Sequence, residues 1–228
     1  MNNRKGSSVS TTRKGAACVK KVQVTDRFKK MMLEAHRAQK IVLAMRANDL
    51  SLWTKKEQDE FRKIFGFDGN EIVDDVYSSP SITKGMEKKK AKDLMKDGIR
   101  RLQLLCNSLS IDNFNNLTDC GNYYAKVSET QTIALDISKY STTLKIDIGQ
   151  KFVNAPLYGI DSQACTLCHE LSHFVRYVGE VDAGGMSTDD ITGNKKPREI
   201  AIKMRDKKDP QLFLNSYNIE MYFEKSPS

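Results

Sequence analysis

Residues 165–173 read Cys-Thr-Leu-Cys-His-Glu-Leu-Ser-His, and two metal-binding patterns overlap in them. Cys165-x-x-Cys168-His169 has the spacing of a covalent haem attachment site. His169-Glu170-x-x-His173 has the spacing of a zinc-hydrolase helix. Both patterns claim His169, so the two uses exclude each other. Choosing between them fixes most of what the rest of the chain must build.

The chemistry favours zinc. Residues four apart on a helix share a face, so His169 and His173 can point two imidazoles at one ion. Glu170 then sits beside the metal without ligating it, where it can take a proton from a water acidified by zinc. Ala164, Leu167, Leu171, Phe174, Val175 and Val178 recur at helical spacing and predict a partly buried helix. Asp161 or Ser162 can cap its start and Gly179 can stop it. Haem attachment follows export, usually by a signal peptide, and residues 1–24 carry charge but no useful apolar run. A haem site also has no need of Glu170 or His173. Two of the chain's three histidines fall in this motif. The third, His36, is expected to be a solvated side chain of a basic N-terminal helix.

A chain of 228 residues is long enough for one domain with a real core. Its 39% hydrophobic and 29% charged content predicts a soluble globular protein. No apolar run approaches the roughly 18 residues of a membrane span. The net charge of +8 comes largely from Arg4, Lys5, Arg13, Lys14, Lys20, Lys21 and Lys88 to Lys90. Such a patch can meet nucleic acid or an anionic surface. The reading taken is a solvated helix face, because no nucleic-acid motif is present. Five cysteines, Cys18, Cys106, Cys120, Cys165 and Cys168, define no disulfide framework. Cys106 and Cys120 either pair after export or both stay reduced. Cys165 and Cys168 bracket one helical turn and are expected to be packing residues.

Residues 1–24 are expected to be a flexible basic tail, and residues 25–228 one domain. A helical lobe should occupy about 25–110 and the catalytic part about 111–228. The spacing predicts helices from Asp26 to about Ala47, from a Ser51 or Thr54 cap to Phe65-Gly66, and from about Ser81 to Leu109. Tyr123 to Val127, Thr132 to Ile137 and Thr143 to Ile148 read as strands of a small mixed or antiparallel sheet. After the HELSH helix, Gly184-Gly185 mark a loop, and Glu199 to Arg205 and Pro210 to Phe223 read as closing helices. That order is α+β.

A catalytic zinc takes three protein ligands and a water. Glu180, Asp182, Asp189, Asp190, Glu199 and Glu220 are the downstream candidates for the third. Asp189 and Asp190 stand out because they follow Ser187-Thr188 in a polar loop that can fold back over the helix.

At this point the sequence resembles a family, the aspzincin metalloproteases (deuterolysins and peptidyl-lysine metalloendopeptidases). They carry HExxH followed by G-T-x-D-x-x-Y-G, whose aspartate is the third zinc ligand. This chain has Met186-Ser187-Thr188-Asp189-Asp190-Ile191-Thr192-Gly193. Cys120-Gly-Asn-Tyr123-Tyr-Ala-Lys-Val127, Phe152-Val-Asn-Ala-Pro156 and Asn215-Ser-Tyr-Asn218-Ile-Glu220-Met-Tyr-Phe223 are similar to further family segments. The resemblance is most specific from about Cys120 to Phe223. It implies a zincin-like fold and peptide hydrolysis. A gap-free match makes Asp189 the ligand; matching Thr188 to the motif threonine makes it Asp190 and loses the closing glycine. Asp189 is the expected ligand and Asp190 the alternative. Three departures stand out. The connection from His173 is longer than usual. Thr192 stands where the family has its oxyanion-binding tyrosine, so Tyr177 or Tyr217 must replace it. Glu220 matches a glutamate that in the lysine-specific members holds the substrate ammonium, but Tyr217 replaces the partner aspartate.

The expected protein is therefore a zinc metalloendopeptidase. His169, His173 and Asp189 (or Asp190) hold Zn²⁺, Glu170 moves the proton, and a sheet strand, Thr132 to Ile137 or Thr143 to Ile148, pairs with an extended peptide. The alternative is a zinc-binding effector or interaction module weakened in catalysis. Its localisation is left open. With no signal peptide visible, export by a specialised route, as for a secreted effector or toxin with a cognate inhibitor or immunity protein, is one expectation.

Overall fold

The computed structural model describes residues 23–73, 88–127, 144–178, 181–191 and 195–227. Residues 1–22 of the basic tail and the Thr132 to Ile137 strand lie outside them. Helix α1 (Asp26–Leu52) starts at Thr25, whose hydroxyl accepts from the Phe28 N–H, and ends at Trp53 in the left-handed region. Its buried residues, from Phe28 and Met32 through Ala35, Ala38, Val42 and Leu43 to Leu50, return every three or four positions, as a core-facing stripe must. It runs past the expected end at Ala47 because Arg46 is itself buried. Arg46 bonds Asp49 at 3.0 Å and Glu60 at 2.8 Å, so the polar Asn48-Asp49 step does not break the helix. Helix α2 (Lys55–Phe65) has a Thr54–Glu57 capping box and a left-handed Gly66 stop.

The long basic helix begins later than its periodicity suggests. Lys89–Lys90 form strand β2, antiparallel to β1 (Ile72–Val73), and α3 spans Ala91–Ser108. It packs on α1, and there His36, expected in solvent, donates from Nε2 to the Cys106 carbonyl at 2.8 Å. Burial lowers its pKa. The basic face is not uniformly solvated either: Arg101 is 3% exposed.

A three-stranded mixed sheet follows, in the order β3-β5-β4. Strand β5 (Ile146–Ile148) runs parallel to β3 (Phe114–Asn116) and antiparallel to β4 (Ala125–Val127). The sequence pattern foresees β4 and β5 but not β3, which is too short for alternation to register. After α4 (Gln150–Asn154) comes α5 (Gln163–Ser172), capped by Ser162, which carries HELSH. Every residue of α5 is buried, where the spacing suggested a partly buried helix. It lies between α1 and α7, with α3 and β4 also against it. It also ends at His173 rather than near Gly179, because Tyr177–Val178 form strand β6, paired antiparallel with β7 (Val181–Asp182). Helix α6 spans Pro197–Asp206. The last expected helix is two elements, a 3-10 turn at Pro210–Leu214 and α7 (Ser216–Phe223). One hydrophobic core runs from Phe28 to Phe223. Among the described residues no helix is long and apolar enough to cross a membrane.

Candidate metal centre

Helix α5 delivers His169 and His173 to one side of a cleft of about 950 Å³. Their rings meet edge to face at 4.9 Å. The chain then leaves through the β6–β7 hairpin and returns. On the return, the Met186 and Thr188 N–H groups donate to the Ser172 carbonyl. The Thr188 and Ser172 hydroxyls are 2.6 Å apart. Gly185 allows this closeness, since a Cβ there would lie 1.8 Å from the Phe174 carbonyl oxygen. The segment before α7 then holds the loop end. Asp189 donates its N–H to Leu214 and accepts from the Ser216 N–H at its carbonyl, forming a parallel bridge with Asn215.

This geometry brings Asp190, not Asp189, to the imidazoles. Asp190 Oδ1 lies 3.3 Å from His169 Nε2 and 3.6 Å from His173 Nε2, and Ser216 Oγ donates to it at 2.5 Å. Asp189 points its carboxylate back to the Asp190 N–H and is exposed. The gap-free motif match counted positions correctly but did not foresee that the loop turns between the two aspartates.

Each histidine is oriented from behind. His169 Nδ1 donates to Glu220 Oε2 at 2.8 Å, and His173 Nδ1 to the Thr188 carbonyl at 3.1 Å. Both Nε2 atoms thereby face Asp190 and offer a lone pair to a metal once they are unprotonated. The three donor atoms lie within 4.8 Å of one another, and their nitrogen and oxygen chemistry suits zinc. Burial opposes charge on His169, but Glu220, Asp190 and Glu170 outweigh it and hold its pKa well above the ordinary value. Glu170 lines the same cleft. Burial pushes its carboxyl up to about 7, and among the described residues nothing hydrogen-bonds its Oε2.

The remaining candidates divide. Tyr217 lines the cleft, with its ring 4.9 Å from that of His169. Tyr177 does not; its hydroxyl accepts from Arg101 at 2.7 Å on the far side of the hairpin. Glu220, matched by resemblance to a substrate-binding glutamate, lines the cleft and also backs His169. Of the other candidate ligands, Asp182 is bonded to Arg100 and Arg101 and Glu199 to Lys196. Glu180 lies outside the described residues. The sequence reading did not single out Ser216, or Tyr123 and Tyr124, which also line the cleft; no spacing rule marks them. Cys165 and Cys168 are free and wholly buried, so haem could not reach either thiol without unpacking α5. Cys106 is likewise free, which excludes a Cys106–Cys120 bridge; Cys120 is itself disulfide-bonded.

The fold is a mixed α+β arrangement of helices around small sheets. The solved structure of a zinc peptidase from Grifola frondosa shares it, with a TM-score of 0.57 at 18% identity over 88% of this chain and 96% of that one. An extracellular protease of Aeromonas hydrophila is 36% identical over 123 residues, which is 52% of this chain and 29% of that protein. The chain thus spans less than a third of the length of that relative. No family model matches the chain.

Proposed function

We propose that this chain is a zinc-dependent endopeptidase, with His169, His173 and Asp190 as the metal ligands. The observation that carries the reading is their convergence beside Glu170, a buried carboxyl with one oxygen unpartnered among the described residues, on the wall of one open cleft. Zinc held there would acidify a water and polarise a peptide carbonyl. Glu170 takes the proton of the attacking water and passes it to the leaving amine. A carboxyl whose burial brings it near neutrality is suited to both acts. Tyr217, its ring 4.9 Å from that of His169, supplies the donor to the developing oxyanion. Among the described residues strand β4 pairs on one side only, with β5, and it lines the cleft, which suits pairing with an extended peptide backbone.

The similarity to an extracellular protease and the disulfide at Cys120 support export to an oxidising compartment. Zinc stoichiometry tests the site. Wild type and Asp189→Ala should each bind one equivalent, and Asp190→Ala should lose it. Hydrolysis of a denatured protein, abolished by Glu170→Gln, tests the activity. Zinc without turnover on any peptide library would instead favour the catalytically weakened module.

A further inference from the structure

The excursion from His173 to Asp190 is bolted to α3 by charges that take no part in the proposed chemistry. Arg101 donates to Asp97 Oδ2 at 2.9 Å, Asp182 Oδ1 at 2.5 Å, the Tyr177 hydroxyl at 2.7 Å and the Arg176 carbonyl at 2.8 Å. Arg176 donates to the same Asp97 oxygen at 2.6 Å. Asp182 Oδ1 also accepts from the Gly184 N–H at 3.0 Å. One buried guanidinium thus holds both strands of the hairpin and the turn that leads back towards Thr188. From there the loop is hydrogen-bonded to the end of α5, and Asp190 follows.

Burying charges is a costly way to join two elements, and apolar side chains of similar volume usually stabilise as well or better. A fork of guanidinium N–H groups does something that apolar packing does not: each donor fits only certain acceptors. It therefore fixes a register. Register is what this excursion needs, because a slip of one residue exchanges Asp190 for Asp189 at the imidazoles.

We propose that Arg101, acting through Asp97, Arg176 and Asp182, is a positioning residue that decides which aspartate reaches the metal centre. The inference rests on reading that centre as a zinc site. The test uses the full chain carrying Arg101→Met or Arg101→Lys, with Leu50→Ala as a control for general destabilisation. Leu50 is buried in α1. Two quantities are measured where all variants are folded. One is amide hydrogen exchange at Met186, Thr188 and Asp189 without metal. The other is the zinc Kd by competition with a chromophoric chelator. Arg101→Met should speed exchange at the three amides and weaken zinc about 10- to 100-fold. Arg101→Lys should lie between it and wild type, and Leu50→Ala should change neither. Asp189→Ala, harmless in the wild type, should weaken zinc further when combined with Arg101→Met. The inference is overturned if Arg101→Met leaves exchange and Kd at wild-type values, or if Leu50→Ala shifts both equally. If wild type takes up no zinc, the reading of the site falls, and exchange at the three amides alone decides whether Arg101 positions the loop.

Discussion

Two regions supply the candidate ligands, and they are built in opposite ways. His169 and His173 stand on a single buried helix, four residues apart. Asp190 arrives at the end of a hairpin excursion: Ser216 bonds its carboxylate, Leu214 bonds the preceding Asp189, and Arg101 bonds the hairpin itself. A helix fixes its own geometry through local hydrogen bonds, so the two histidines share a face as soon as it forms, and only their ring orientation is left to Glu220 and Thr188. A ligand at the end of a loop is positioned only by contacts to residues distant in sequence. The helix half should therefore respond to chemical changes at the site and little to distant ones. The loop half should respond to both.

Glu170→Gln should have the largest effect. The amide cannot accept and return a proton, so kcat for peptide hydrolysis should drop by roughly 10²- to 10⁴-fold, with zinc content unchanged. Loss of zinc together with activity would mean that Glu170 belongs to the metal site rather than to the proton path. Next is the contrast between the halves. Glu220→Ala removes the acceptor behind His169 and should weaken zinc about 10- to 100-fold, while amide exchange in 186–189 stays as in wild type. Faster exchange there would show the two halves to be coupled, contrary to the comparison.

The smallest effect expected is on stability and concerns the loop half alone. Burial raises the pKa of Asp97, but hydrogen bonds from Arg101 and Arg100, and the charges of Arg101 and Arg176, overcome this and bring it down to about 2. A carboxyl depressed on folding stabilises the protein above its unfolded pKa, and that contribution disappears as pH falls through the folded one. Asp97→Asn should accordingly cost about 2 kcal/mol at neutral pH. The loss of stability between about pH 4 and pH 2 should shrink correspondingly. Chemical denaturation of both forms across that range measures it, and curves that stay parallel would remove Asp97 from the clamp.

Much of the helical framework was legible because it rests on local rules. The Thr54 cap, the Gly66 stop and the 3–4 spacing of α1 all read directly from the chain. What escaped has a physical cause in each case. Strand β3 spans Phe114–Asn116, too short for alternation to show, and exists because β5 lies beside it. Helix α5 ends early because the chain is drawn into the hairpin by Arg101 and Arg176, a pull that the continuing run of Phe174, Val175 and Val178 conceals. His36 and Arg101 looked like solvated members of basic helices. Their burial depends on α1, α3 and the hairpin meeting, which composition cannot show.

By itself, the sequence singled out the two histidines and the glutamate between them as a candidate metal site, since spacing on one helix is a local property. It narrowed the third ligand to two adjacent aspartates and could go no further. Only the tertiary structure brought Asp190 to the imidazoles, turned the Asp189 carboxylate back to the Asp190 N–H, set Glu220 behind His169, and placed Tyr217 at the cleft. Those outcomes depend on hydrogen bonds between residues far apart in the chain, and such bonds exist only once the helices, the sheet and the hairpin have packed.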